Sequence, residues 1–234
     1  MEIVNCHGAR LPISQVQLPR KVIGFKRIYI AFIDRNAITF LHHFRQLFTA
    51  CPIDLIFHTT PDRILDFILR NIWPMIGKNI CAMHFFAKIF HNLRKFIPSI
   101  LNDFPSLRVI TFIFDECFIE FPCDDNAAAS DGQLVAKWLF TPLQNDVPKV
   151  LKYWSQKNDE NLASKIEAFK TAFGDASSPV NFIVVVSFPL SFTKSVVPFA
   201  LTNELTREQL ALKRINNSHR FVFVRCPIAR DESK

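Results

Sequence analysis

Residues 100–114 read Ile-Leu-Asn-Asp-Phe-Pro-Ser-Leu-Arg-Val-Ile-Thr-Phe-Ile-Phe, and this stretch sets the architecture. Its first part continues from Ile97 with apolar residues at Ile100, Leu101 and Phe104, the spacing of one helix face. Its second part, 107–114, is a β-branched and aromatic run that reads as a strand. Pro105-Ser106 supplies the turn between them. The stretch is a helix-to-strand joint, and the chain contains similar joints upstream.

The first strand is 27–33, with Ile28, Ile30 and Phe32 alternating against Tyr29, Ala31 and Ile33. Both faces are largely apolar, which predicts a strand covered on two sides. Asp34 can cap a helix over 35–48, with Ala37, Leu41, Phe44 and Phe48 as its stripe. A second strand, 53–58, precedes a helix opened by Thr60-Pro61-Asp62-Arg63, striped by Leu65, Ile68, Leu69, Ile72 and Ile76, and ended by Gly77 as a C′ residue. A third strand, 79–87, precedes a helix over 88–103 with Ile89, Leu93, Phe96, Ile97, Ile100 and Phe104 on one side. Pro74 and Pro98 fall inside the second and third helical patterns, where each must kink or restart its helix.

Strand starts at Ile28, Ile53, Ile80 and Leu107 recur at a period of about 26 residues. A strand–helix period in this range predicts leucine-rich-repeat-like α/β repeats with a mostly parallel sheet. Leu101, Phe104, Leu107 and Val109 come close to the pattern of such repeats, but no unit has a clear asparagine position. An ordinary open α/β sheet is the competing architecture.

Beyond residue 114 the spacing lengthens. An irregular acidic segment (Glu116, Glu120, Asp124, Asp125) leads to a helix capped by Asp131, with Leu134, Val135, Trp138 and Leu139 on one side. A strand over 149–154 precedes a helix striped by Leu162, Ile166, Phe169 and Phe173 and ended by Gly174. Residues 181–188 read as a hydrophobic, central strand. Short alternating runs at 196–201, 209–214 and 221–225, separated by turn residues, predict an antiparallel C-terminal meander that closes the sheet. In this meander Leu210 and Leu212 face one way, Ala211 and Lys213 the other. The expected organisation is a lead-in over 1–20 and one domain over 21–231, with repeats over 21–192 and the cap over 196–228.

Composition narrows the function classes. Hydrophobic residues make up 49% of the 234 and charged ones 21%, as in a folded globular chain. There are 25 Phe but only 5 Gly, which favours a large dry core over a glycine-rich nucleotide loop. The net charge of +7 favours acidic partners, but the Lys and Arg residues are spread out and form no run of the kind a nucleic-acid groove presents. No basic-then-apolar leader opens the chain, and no apolar run is long enough to span a bilayer. The six cysteines sit largely within apolar runs and read as reduced thiols of an intracellular protein, in cytoplasm or nucleus.

No catalytic signature, Walker-type loop or zinc frame is present. His42-His43 point about 100° apart on a helix and read as surface residues. Cys51 with His58, or Cys81 with His84, could form a dyad only by chance of composition. Asp124-Asp125 read as a solvated loop open to a basic partner, and Trp73, Trp138 and Trp154 as packing residues. Catalytic, cofactor and metal residues are therefore expected to be absent, and the partner-binding residues are not identified.

Six phrases carry a resemblance. They are Lys21-Val22-Ile23-Gly24-Phe25-Lys26-Arg27-Ile28, Asn71-Ile72-Trp73-Pro74, Leu107-Arg108-Val109, Ala136-Lys137-Trp138-Leu139-Phe140-Thr141-Pro142, Leu201-Thr202-Asn203-Glu204-Leu205-Thr206 and Arg225-Cys226-Pro227-Ile228-Ala229-Arg230-Asp231. Together they make residues 10–231 resemble the F-box-associated region of an expanded set of nematode F-box proteins. The resemblance implies a non-enzymatic substrate-recognition part of a ubiquitin-ligase receptor, whose F-box would bind Skp1 within a cullin complex. The residues ahead of it are too few for a helical F-box, so the chain is expected to lack one and Skp1 docking is not expected of it. The alternative is a stand-alone binding protein for an acidic partner such as nucleic acid.

Overall fold

The computed structural model describes residues 2–4, 10–12, 24–30, 35–57, 62–113, 119–143, 147–154, 162–188, 196–216 and 219–228. The chain divides into two compact units, Met1–Leu107 and Arg108–Lys234.

In the first unit, β1 (Glu2–Val4) and β2 (Arg10–Pro12) form an antiparallel pair. Strands β3 (Arg27–Ile30), β4 (Ile53–Phe57) and β5 (Ile80–Phe85) are parallel and adjacent in chain order. Helix α1 (Arg35–His43), followed by a 3₁₀ turn over Arg45–Phe48, links the first two. Helices α2 (Asp62–Asn71) and α3 (Trp73–Ile76) link the next two. Pro74 sits in the first turn of α3, so the expected restart occurs there, where its missing N–H costs little. Gly77 does not act as a left-handed C′ residue. Its φ of −53° is right-handed, and it begins a 3₁₀ turn over Gly77–Asn79 instead.

After β5, α4 (Ala87–Phe96) stops ahead of Pro98, and a 3₁₀ turn over Ile100–Asp103 replaces the rest of the expected helix. That break explains Phe96, which the periodicity placed in the core and which is exposed. Ile100, Leu101 and Phe104 are buried as expected, and the Leu107 N–H closes the joint on the Phe104 carbonyl (3.0 Å). Leu65, Ile68, Ile72 and Ile76 are buried, as are Ile89 and Leu93. The helices cover one face of this sheet: Trp73 packs on Phe57 and Phe90 on Phe85 (ring centroids 6.4 and 5.3 Å). Tyr29, on the other face, is 49% exposed, so the expected second cover is missing at that position; Ala31 and Ile33, the other residues of that face, lie outside the described residues. The proposed Asp34 cap and residues 31–33 lie outside the described residues.

The second unit contains β6 (Val109–Phe112), β7 (Lys149–Trp154), β8 (Phe182–Ser187), β9 (Phe199–Asn203), β10 (Glu208–Arg214) and β11 (Arg220–Pro227). Their order is β6-β7-β8-β11-β10-β9: the first three are parallel, the rest an antiparallel meander. Helices α5 (Asp131–Phe140) and α6 (Leu162–Gly174) form the two crossovers. The expected meander is present, and its last strand, β11, is the one that docks on the parallel part. Helix α5 is capped by Ser130 rather than Asp131. The Ser130 hydroxyl accepts from the Gln133 N–H (3.1 Å), and the Gln133 carboxamide accepts from the Ser130 N–H (2.8 Å). This reciprocal box satisfies two otherwise unpaired donors.

The core of this unit is aromatic. Phe182 and Phe223 project from the strands onto Phe169 of α6 (5.8 and 5.2 Å), and Phe140 of α5 meets both Phe169 and Phe182 (5.8 and 5.3 Å). On β9, the Asn203 carboxamide donates to the carbonyls of Phe173, Gly174 and Ala176 (2.8, 3.2 and 3.0 Å), satisfying the end of α6. No helix among the described residues is long and apolar enough to cross a membrane.

Candidate functional site

The rings of Phe140 and Phe169 place α5 and α6 on the same side of the second unit's sheet. Strand alternation then decides which residues face away from them. On β7, Lys149, Leu151 and Tyr153 point to the helices and are buried, while Val150, Lys152 and Trp154 point away. On β8, Phe182, Val184 and Val186 point to the helices, and Ile183, Val185 and Ser187 away. On β11, Phe221, Phe223 and Arg225 are buried, and Arg220, Val222, Val224 and Cys226 lie on the opposite face.

Strand register assembles these outward residues into rows. One row runs Val109, Val150, Ile183, Val224, Ala211, Ala200, apolar across all six strands. The next runs Thr111, Lys152, Val185, Val222, Lys213. A third begins Trp154, Ser187, Arg220. Val150, Ile183, Val185, Val222 and Val224 are half-buried, whereas the inward Phe182, Val184 and Val186 are fully buried. Lys152, Lys213 and Arg220 are exposed, and Trp154 is 37% exposed. None of the outward positions on these six strands is acidic. Lys152 and Lys213 have no ion-pair partner among the described residues. The buried hydroxyls of Thr111 and Ser187, also on this face, have no hydrogen-bond partner there.

The result is an aliphatic floor with a cationic rim and one exposed indole. Among the described residues it gathers no metal cluster, and its one thiol, Cys226, is half-buried with no histidine or carboxylate among the outward positions; its chemistry suits recognition. Exposed Trp beside apolar area is the residue type that most often dominates a protein interface. Trp154, expected among the packing residues, lies outside the core, whereas Trp73 and Trp138 are buried as expected. The face is legible only once strand phase is known. Lys149 obscures that phase because a lysine occupies an inward position.

Lys149 is 4% exposed, its amine donates to the Trp138 carbonyl at the end of α5, and it stands 4.9 Å from the Trp138 ring. Burial lowers its pKa from 10.5 to about 8. The unfolded chain therefore holds more protons between about pH 8 and 10.5, so this group's contribution to stability rises with pH across that window. Lys149→Met is expected to abolish that rise. Urea denaturation of both proteins at pH 7.5 and 10 checks it: parallel pH dependence would show that Lys149 is not desolvated.

The remaining candidates do not converge. His42 and His43 are exposed at the end of α1. The thiol of Cys81 donates to the Ile53 carbonyl (3.4 Å). His84 Nε2 lies 2.7 Å from Asp54 Oδ1, and Arg27 Nη2 lies 2.7 Å from Asp54 Oδ2, so this histidine is held in a charge cluster. Cys51, Cys81, Cys123 and Cys226 are free thiols, each half-buried. Burial pushes Cys123 up to about 11, which makes it a poor nucleophile. Asp124 is half-buried, and its carboxylate accepts from the Asp125 and Asn126 N–H groups (2.7 and 3.1 Å), so it builds its own loop. His58 and Cys117 lie outside the described residues. Among the described residues, no three of His, Cys, Asp and Glu come together as a metal site.

No family model matches the chain, and no curated protein or solved structure matches it.

Proposed function

We propose that this chain is a non-enzymatic protein-interaction module, akin to the substrate-recognition part of an F-box-type ubiquitin-ligase receptor. The observation that carries the reading is the face of the second unit on which no helix lies among the described residues, with its aliphatic rows, cationic rim and exposed Trp154. A fold that keeps its crossover helices on one face leaves the other for recognition, as repeat proteins do. Within each unit the parallel strands follow chain order, which supports the finer leucine-rich-repeat-like description. The six sequence phrases that resemble F-box-associated regions support the ligase context. An intracellular site follows from the same context.

The cationic rim also favours a second reading, a stand-alone binder of an acidic partner, nucleic acid included. Affinity capture from a native proteome separates the two. The chain alone is expected to retain protein partners other than Skp1, and to gain Skp1 when an F-box is fused upstream. Recovery of nucleic acid in a salt-sensitive manner, without proteins, would replace the first reading by the second.

A further inference from the structure

We propose that this outward face of the second unit, which carries no helix among the described residues, receives an acidic amphipathic α-helix from a partner protein, laid across the strands along the Val109–Ala200 row. The proposal rests on the reading of the chain as a protein-interaction module and identifies the surface and the partner's chemistry.

Three features select that occupant. The first is dimension. Six strands at about 4.8 Å spacing make a row about 24 Å across, the length of about 16 helical residues. The second is polarity. Val109, Val150, Ile183, Val224, Ala211 and Ala200 give an unbroken apolar track in register, and the neighbouring Val185 and Val222 widen it. Ala211 is already buried, Val109, Val150, Ile183 and Val224 are half-buried and Ala200 is exposed, so a helix with one apolar stripe would complete the burial of this track. The third is charge. Lys152 and Lys213 lie at opposite ends of the Lys152-Val185-Val222-Lys213 row. Three strand spacings, about 14 Å, separate them, so carboxylates about three turns apart on one flank of the docked helix would reach both. Arg220 lies on the same side, and none of the outward strand positions is acidic. Trp154, at that margin, can close over the helix as an aromatic anchor.

A nucleic acid fits the same face less well. Phosphates need a track of cations and bases need stacking platforms, whereas here the centre is aliphatic and only the margin is charged.

The test uses the full chain and three labelled probes. These are an 18-residue designed helix with a leucine stripe flanked by glutamates, its lysine-flanked counterpart, and a single-stranded oligonucleotide. The acidic helix is expected to bind best and to weaken as salt is raised. Lys152→Glu/Lys213→Glu is expected to weaken it at least about tenfold, and Trp154→Ala by a similar factor. Lys78→Glu/Lys88→Glu carries the same charge change elsewhere and is expected to leave binding intact. Unchanged melting temperatures for the variants exclude misfolding as the cause.

Preference for the basic helix or the oligonucleotide, absence of binding by the acidic helix, or equal binding by wild type and Lys152→Glu/Lys213→Glu would overturn the proposal. Protein capture from a proteome is read in parallel. Partners retained equally by wild type and the double variant would leave an interaction module that uses another surface. Loss of all protein partners from wild type would remove the underlying reading itself.

Discussion

Arg225→Ala is expected to destabilise the second unit by about 3–5 kcal/mol, because it strips the counter-charge from a buried carboxylate. Arg225 is 0% exposed and Glu208 1%. The guanidinium donates to Glu208 Oε2 through Nε (3.1 Å) and Nη2 (2.7 Å), and Nη2 also donates to the Ser178 carbonyl (3.0 Å). Glu208 Oε1 accepts from the Val180 N–H (2.7 Å). The guanidinium carbon lies 5.3 Å from the Phe140 ring and 5.2 Å from that of Phe173, so the cation is solvated by aromatic faces instead of water. The pair thus joins β10 to β11 and pins the backbone at 178–180 ahead of β8.

Removing one partner leaves the other charge with neither water nor a counter-ion, which is why the expected loss far exceeds that of an exposed pair. Replacing both at once, as Arg225→Met/Glu208→Leu, removes the charges together. It should cost less than either single change, although the Ser178 carbonyl and Val180 N–H then lose their partners. Urea denaturation of the two single variants and the double one checks this. A single Arg225→Ala within about 1 kcal/mol of wild type would mean that water reaches the site.

This pair also shows what the sequence could and could not disclose. Arg225 shares the phase of Phe221 and Phe223, and Glu208 that of Leu210 and Leu212, so alternation alone marks both charges as inward. What alternation cannot supply is their pairing, because that depends on β11 inserting between β8 and β10. Local patterns were informative wherever a segment's fate depends on its own residues. The strands at Arg27, Ile53, Ile80, Val109, Lys149 and Phe182, the restarts at Pro74 and Pro98, and the opposed faces of Leu210 and Ala211 are of this kind.

Patterns misled where a helix ended early. Phe96 keeps the apolar spacing of its helix but emerges into solvent, because Pro98 diverts the chain one turn too soon. The candidate face was the least legible feature. Its residues come from six strands, and their alignment is a property of register, which no single strand encodes. Tyr29 shows the same limit in the first unit: an apolar-looking strand does not reveal whether its second face is covered.

Leu107→Asp and Val109→Asp, two residues apart in the joint at 100–114, are expected to have opposite outcomes. Leu107 is 0% exposed, and its backbone closes the turn after Phe104. Aspartate there loses the burial of a leucine, about 2–5 kcal/mol, and adds the desolvation of a carboxylate. Together these rival the whole stability of a typical domain, about 5–15 kcal/mol, so the variant should be unfolded or aggregated. Val109 opens β6 on the outward face, where it is half-buried at the end of the apolar row. An aspartate at that position keeps part of its water, so its cost is chiefly the poorer strand propensity, about 1 kcal/mol.

Val109→Asp should therefore remain folded and monodisperse by circular dichroism and size-exclusion chromatography, while Leu107→Asp should not. A soluble, monodisperse Leu107→Asp protein would remove that residue from the core. An unfolded Val109→Asp protein would show that its side of β6 is a second core layer, and the outward face would then be shorter by one strand. If Val109→Asp folds, it also places a negative charge at the end of the row, and it should weaken binding of the acidic helix without lowering the melting temperature by more than a few degrees.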